Sequence, residues 1–502
     1  MSNNENADSW VEILDDLQVR RAESRAMGGD ERLLKHRGQG KLDARARIAH
    51  LLDPGSFMEL GTLVGGPEAP ADAIVMGSGA IEGRPVMVGA EDFTVKAGTI
   101  SSFANSKRYR VAELAVGDRV PLIMILEGAG FRADGKTYSR SPTDLLAQSR
   151  CSGRVPLITA VLGASAGHGA LVAPMSDFSV MSSTGAIFTA GPPVVYESLG
   201  ETISKEDLGG PDVAVASGLI HNAVGSDEAA LDLVRTYLSY FPSSAWSYPP
   251  ESEVGDDDGP RLVPQMLNLV PRSGRKVYDM RKVLDVVFDA DSVCEVQPDF
   301  GRSLITSLCR LGGQPVAVVA NQPLVLAGSI DCDAADKGAH FISVADSFHI
   351  PLVFFSDNPG VLPGSASERQ AILRSGARMY AAQTMATTPK FEVTFRKAYG
   401  FGSMVMGMIP FDGQSAVFAF PGATMGAMGA AAMSRSRGSD VDEATMLREV
   451  EVEASYRSAQ SFGFDELIDP REIRNMLLMS LQRALHRRQG APEPVARIGI
   501  VP

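Results

Sequence analysis

Four short glycine-bearing stretches hold the residues best suited to chemistry. They are Glu127-Gly-Ala-Gly-Phe-Arg132, Gly163-Ala-Ser-Ala-Gly-His-Gly-Ala170, Asp357-Asn-Pro-Gly-Val361 and Lys397-Ala-Tyr-Gly-Phe-Gly-Ser403. Each follows an apolar, strand-like run and precedes a helical or turn run. Glycine there lets main chain come close to a ligand. It also leaves N–H groups at the start of a helical turn without intrahelical acceptors, aimed at developing negative charge. Two such donors converging on one carbonyl oxygen make an oxyanion hole, the device that stabilises an enolate or a tetrahedral intermediate. Taken singly, each stretch also reads as an ordinary tight β-to-α turn. Their repetition in register gives them weight.

Signatures of other chemistries are few. The sequence has no G-x-G-x-x-G at a first β-to-α turn. The spacings G-x-x-x-x-G-K-T (Gly130–Thr137) and G-x-S-x-G (Gly163–Gly167) each occur once, overlapping the glycine turns already described. The seven histidines are dispersed without metal-ligand spacing, so no metal is expected. His168 lies inside a glycine turn, where either its main-chain N–H or its ring could act. Asp92, Glu127, Asp331 and Asp357 sit near strand ends and read as turn or cap acids. Paired main-chain donors with no evident side-chain base suit enolate chemistry in which substrate or cofactor supplies the base.

The elements behind these turns occur twice. Sliding the chain by 230 residues places Pro85 on Pro315, Gly98 on Gly328, Lys107 on Lys337, Pro121 on Pro351 and Gly130 on Gly360. A shift of 233 places Pro156 on Pro389, Gly167 on Gly400 and Gly169 on Gly402. Such self-similarity marks one supersecondary plan used twice. From residue 85, β runs (VMVGA, LIMIL, LITAVLG) alternate with helical runs, and a similar series fills 303–440. That pattern predicts an α/β fold with a largely parallel, helix-covered sheet. Residues 73–90 predict a hairpin turning at Glu82-Gly83. Residues 8–36 predict one helix, with Trp10, Ile13, Leu14 and Leu17 on its apolar face, and 41–57 a second, ended by Pro54-Gly55. The Pro/Ser/Gly/acid-rich stretch 242–260 reads as a solvated linker. The expected division is an N-terminal domain over 1–245, a linker over 246–262 and a C-terminal domain over 263–502. A charged helical stretch is expected over 442–488.

Composition bounds the function. The 502 residues are 44% hydrophobic with a net charge of −13, which disfavours nucleic acid or an anionic membrane as partner. Four scattered cysteines without a C-x-x-C pair, and a polar start lacking a secretory core, fit the cytoplasm. No run of 18 apolar residues occurs.

With these motifs in view, the chain resembles the carboxyltransferase β subunits of biotin-dependent acyl-CoA carboxylases, the propionyl-CoA and methylcrotonyl-CoA carboxylase group. The matching segments include GKLDARARIAHLLDPGSFMELG (40–61), EDFTVKAGTIS (91–101), AGPPVV (190–195) and EDLGGPDV (206–213). The second half adds ANQPLVLAGSIDCDAADKGAHFI (320–342), IPLVFFSDNPGVLPG (350–364), RKAYGFGSMVMG (396–407) and FPGATMGAMGA (420–430). ANQPLVLAG and RKAYG are specific signatures.

The resemblance implies a duplicated crotonase-like fold of two homologous domains. It implies transfer of a carboxyl group from carboxybiotin, carried on a biotin carboxylase/biotin carboxyl carrier α subunit, to the α-carbon or a vinylogous carbon of an acyl-CoA. The subunits would form a homo-oligomer built from dimers, a hexamer, with each site shared between the N-domain of one copy and the C-domain of another. One oxyanion hole falls on Gly167, His168 and Gly169, the other on Phe401 and Gly402; which holds the enolate and which the biotin is open. Substrate or biotin contacts fall on Gly130, Phe131, Gly360, Gly400 and Met404. Phe131, His168 and Phe401 stand where the family has small residues, and Met404 stands where acyl selectivity is tuned. Two other readings remain: a CoA-ester decarboxylase or transcarboxylase running the step backward, and a non-catalytic subunit of a mixed carboxylase.

Overall fold

The computed structural model describes residues 2–132, 142–255, 258–411, 413–427, 453–486 and 488–494, with side chains from residue 10 onward. The chain divides into two compact units, Met1–Thr236 and Tyr237–Val495.

The first unit opens with helices α1 (Ser2–Arg25), α2 (Asp30–Arg37) and α3 (Ala44–Leu51). Next come strands β1 (Met58–Leu60), β2 (Ile74–Ile81) and β3 (Arg84–Glu91), helix α4 (Ser102–Asp118), strand β4 (Leu122–Gly128) and helix α5 (Asp144–Ser149). Strands β5 (Leu157–Ala166), β6 (Phe178–Ser182) and β7 (Ala186–Phe188), helices α6 (Pro192–Leu199), α7 (Lys205–Gly209) and α8 (Pro211–Ala216), strand β8 (Asn222–Val224) and helix α9 (Asp227–Ser239) follow. The second unit contains α10 (Met266–Leu269), α11 (Arg281–Val287), β9 (Cys294–Val296), β10 (Leu304–Leu311), β11 (Gln314–Asn321), α12 (Cys332–Ser347) and β12 (Leu352–Asn358). It continues with α13 (Ser365–Arg369), α14 (Ile372–Met385), β13 (Lys390–Tyr399), α15 (Gly400–Val405), β14 (Gln414–Ala419), β15 (Thr424–Gly426) and β16 (Glu466–Leu467).

Each unit is built on one mixed sheet. The strand orders are β1-β2-β3-β4-β5-β6-β8 with β7 on β5, and β9-β10-β11-β12-β13-β14-β16 with β15 on β13. The first three strands of each order pair antiparallel and the rest parallel. The repeat extends to the register. Met87 faces Leu122 in the first sheet, and Ala317 faces Leu352 in the second. Strands β4 and β12 are buried along their whole length, as parallel strands covered on both faces must be. Two apolar clusters, one around Leu122 and Met124 and the other around Val318 and Phe355, form the cores.

A buried lysine ties a helix to the main chain that leads into the antiparallel strand pair in both units. Lys107 Nζ on α4 donates to the carbonyls of Ala71 at 2.7 Å and Ile74 at 2.5 Å. Lys337 Nζ on α12 donates to those of Phe300 at 2.7 Å and Gln297 at 3.1 Å. Burial pushes the two ammonium groups down, to about 8 and about 7.

The hairpin turns at Glu82-Gly83, both at positive φ. Several other expectations need correction. Residues 8–36 are not one helix. The chain breaks at Met27–Gly29, where Met27 and Gly29 have φ of 51° and 85°. The apolar stripe on α1 is not buried; Trp10, Ile13 and Leu14 are exposed. The second helix covers only 44–51, because Asp53 precedes Pro54 and Met58–Leu60 is drawn into the sheet. The stretch 242–255 has no helix or strand, but it is not solvated throughout. Ser244 and Ala245 are buried, and Ser252 N donates to Gly313 O at 3.0 Å. Of the helical stretch expected over 442–488, residues 442–452 lie outside the described residues. The remainder is interrupted by β16 and resumes as a helix over Ile473–Leu485.

Candidate oxyanion-binding turns

In the first unit the candidate residues gather at the carboxyl ends of β4 and β5, where ligands approach parallel sheets. Strand β5 ends at Ala166, Gly167 turns the chain at φ 60°, and a 3-10 segment runs over Gly167–Met175. Gly130, at φ 83°, lies against this corner: a Cβ there would sit 3.1 Å from Ala166 O. Ile100 clamps the β4 turn. Its N–H donates to Gly130 O at 2.8 Å, and its carbonyl accepts from Arg132 N at 2.8 Å. Phe131 is left exposed between them.

The second unit repeats the arrangement. Ile330 N donates to Gly360 O at 3.2 Å, and Leu362 N donates to Ile330 O at 2.8 Å. Gly400, at φ 55°, turns the chain from β13 into α15. A Cβ on Gly402 would lie 2.4 Å from Asn358 Oδ1 and 2.7 Å from the Gly360 main chain, so only glycine fits. Thus Gly130, Phe131, Gly167, His168 and Gly169 come together in one unit, and Gly360, Gly400, Phe401 and Gly402 in the other.

The donors have the required property. The N–H of His168, in the first 3-10 turn, has no acceptor among the described residues, and neither do those of Phe401 and Gly402 in the first turn of α15. Gly360 differs: its N–H is taken by Asn358 Oδ1 at 3.0 Å. The Phe401 ring packs on α14, 5.9 Å from the Tyr380 ring and against Gly376. Met404 lies beside Tyr380, Gln383 and Phe411.

An apolar cavity of about 670 Å³ opens beside the first turn. Gly167, His168, Leu171, Phe188, Val195 and Val213 are among its walls. This size and lining are those of a small-molecule site.

Charged side chains brace the turns from behind. Glu127 accepts from Arg47 Nη1 at 2.6 Å and Lys41 Nζ at 2.7 Å. Asp357, at the corresponding place, accepts from Arg396 Nε at 2.6 Å and the Tyr278 hydroxyl at 2.9 Å. Burial pushes the Asp357 carboxyl up, although Arg396 and Lys397 oppose the shift. Asp92 accepts from Thr94 N at 2.9 Å, and Asp331 caps α12 through Ala334 N at 2.8 Å. Asp92 and Asp331 thus hold main chain as turn and cap acids, as their positions suggest, whereas Glu127 and Asp357 are buried partners of cationic side chains.

Sequence reasoning missed two features. One is the pair of strained turns Lys96-Ala97-Gly98 (φ 48°, 53° and 63°) and Leu326-Ala327-Gly328 (φ 49°, 54° and 83°). Here Gly98 and Gly328 would drive a Cβ to 2.3 Å from Glu127 O and 2.4 Å from Asp357 O. The signal was the A-G pair recurring 230 residues on. The other is Asp144, which meets His168 across 24 residues with no local signature. Burial opposes ionisation of Asp144, but the His168 hydrogen bond and the Arg108 charge outweigh it and hold the carboxyl at about 2. Among the described residues no group of His, Cys, Asp and Glu could hold a metal, and no helix is long and apolar enough to cross a membrane.

Fold and site therefore define a mixed α/β protein with two parallel-rich sheets, each presenting free main-chain donors at the ends of its central strands. The chain belongs to the carboxyl transferase domain family, whose model matches residues 35–498. It is 34% identical to the carboxyltransferase subunit of propionyl-CoA carboxylase from Haloferax mediterranei, over 96% of this chain and 97% of that one. It is 36% identical to the β4 subunit of a biotin-dependent long-chain acyl-coenzyme A carboxylase from Mycobacterium tuberculosis, over 94% of each chain. The crystal structure of the transcarboxylase 12S hexamer with hydrolysed methylmalonyl-coenzyme A bound superposes with a TM-score of 0.89 at 32% identity, covering 97% and 98% of the two chains.

Proposed function

We propose that this chain is the carboxyltransferase component of a biotin-dependent acyl-CoA carboxylase. The observation that carries the reading is the pair of main-chain donor turns, where the N–H groups of His168 in one and of Phe401 and Gly402 in the other lack acceptors among the described residues. The doubled sheet register supports a duplicated crotonase-like architecture, with domains at 1–245 and 263–502 joined by 246–262.

One turn holds the thioester oxygen as negative charge grows on it; the other holds the ureido oxygen of biotin. Carboxybiotin on a biotinylated partner subunit, held by one of the turns, would supply the carboxyl group and a base for the α-proton. The chain's own residues bind, orient and exclude water, and the enolate oxygen is stabilised by N–H groups that need no reorganisation. Gly130 and Gly360 shape the β4 and β12 ends against these turns. The fit to biotin rests on the second turn, where the unpaired N–H groups of Phe401 and Gly402 suit a ureido oxygen. Phe131, Phe401 and Met404 add apolar surface, and with the large apolar cavity they favour an acyl group bulkier than propionyl. Self-association supplies a second copy's turn to each site, and the hexamer of the 12S relative is the expected assembly. The four cysteines are free and buried, in keeping with the cytoplasm.

The test is reconstitution with a biotinylated carboxylase partner, ATP, labelled bicarbonate and a panel of acyl-CoA esters. Acid-stable label in one or more esters is expected. A partner that carboxylates its own biotin while no ester becomes labelled would contradict the proposal.

A further inference from the structure

The His168 ring is held in a way its main-chain role does not require. Its Nε2 lies 2.5 Å from Asp144 Oδ1 and 3.4 Å from Thr143 Oγ1. Asp144 is itself clamped: Arg108 Nε donates to its Oδ2 at 2.5 Å, and Gln148 Nε2 donates to the same oxygen at 2.9 Å. Behind it, Arg108 Nη1 pairs with Glu91 Oε1 at 2.5 Å. Asp144, Arg108 and Glu91 are buried, whereas His168 is part-exposed and lines the 670 Å³ cavity. An ionised carboxylate on Nε2 keeps the proton on that nitrogen and leaves the lone pair on Nδ1. Nδ1 has no hydrogen-bond partner among the described residues. A carboxylate-oriented imidazole with a free nitrogen is the arrangement of a general base.

We propose that His168, oriented by Asp144, is a side-chain base at the first donor turn, so that this chain alone exchanges the α-proton of a CoA thioester with solvent. The inference rests on the acyl-CoA reading above. Nδ1 takes the proton as the Cα–H bond breaks. That electron pair becomes the C=C bond of the enolate, and the thioester C=O pair moves onto oxygen, where the main-chain N–H of His168 receives it. The reverse step returns a solvent-derived proton from Nδ1 to carbon. Nothing is oxidised or consumed, and neither biotin nor ATP takes part. Asp144 is a positioning residue.

The experiment incubates the full chain, without partner, with propionyl-CoA and with decanoyl-CoA in D2O and follows deuterium at C2 by mass spectrometry. With at least one ester the wild type should exchange at least about 100-fold faster than buffer, the range a positioned base supplies. His168→Ala, checked for folding by circular dichroism, should fall to near the buffer rate, and added imidazole should restore part of the loss. Asp144→Asn should lower exchange, with partial recovery in Asp144→Glu. Wild-type exchange at the buffer rate with both esters, full exchange in His168→Ala, or no response to imidazole overturns the inference. A chain that carboxylates with its partner but does not exchange alone defeats this inference and leaves the carboxyltransferase reading standing. A chain that exchanges alone but never carboxylates does the reverse.

Discussion

Gly402 is the most constrained residue of the second donor turn. A methyl group there meets Asn358 Oδ1 and the Gly360 main chain well inside contact distance. Gly402→Ala should therefore push α15 away from the β12 turn and misdirect two N–H groups at once. The expected loss in carboxyl transfer is about 100-fold or more, the range seen when one oxyanion donor is removed. A steady-state assay beside a thermal melt checks it; unchanged turnover would show that the turn does not act. The need for glycine at this position was legible in the sequence, because glycine at a β-to-α corner has a physical reason to be there. The side-chain partner of His168 was not. Asp144 is brought to it by the fold of a separate segment, and nothing local in Thr143-Asp144 announces an imidazole neighbour.

At the scale of elements, caps and buried charges decide how firmly the turns are carried. Asp331 caps α12, the helix that leads away from the Leu326–Gly328 turn. Asp331→Ala should cost about 1 kcal/mol of stability, measured by urea unfolding; no change would mean that water replaces the cap freely. Within β13, burial pushes the Glu392 carboxyl up to about 8, opposed by a hydrogen bond from the Thr394 hydroxyl at 2.8 Å. The folded chain keeps that proton between the ordinary carboxylate range and about 8, whereas the unfolded chain releases it. Stability attributable to this group therefore falls as pH rises through that window. Glu392→Gln should flatten the dependence of Tm on pH between about 5 and 8; an unaltered slope would contradict the assignment. Strands and hairpins were legible because their period-two runs end in turn residues with a physical reason for positive φ. Helix limits were less so. Apolar spacing continues through Met27–Gly29, where the backbone breaks, and the stripe Trp10–Leu14 gives no sign that it stays exposed. Composition misjudged 242–255, whose polar residues conceal the buried Ser244 and Ala245.

At the scale of the whole molecule, internal repetition is the strongest sequence signal, and it survives as repeated strand register in two sheets. Repetition cannot reveal assembly. If each site draws one turn from each of two copies, dilution to monomer should abolish transfer, and light scattering coupled to activity across a size-exclusion profile checks it. Activity in the monomer peak would contradict the shared site. The most direct test of the central claim is labelled-bicarbonate transfer to acyl-CoA by the reconstituted complex, with wild type and Gly402→Ala run side by side. Acid-stable label in the wild type that collapses in the folded Gly402→Ala complex is the predicted result; equal labelling by both, or none by the wild type beside a competent partner, would contradict it.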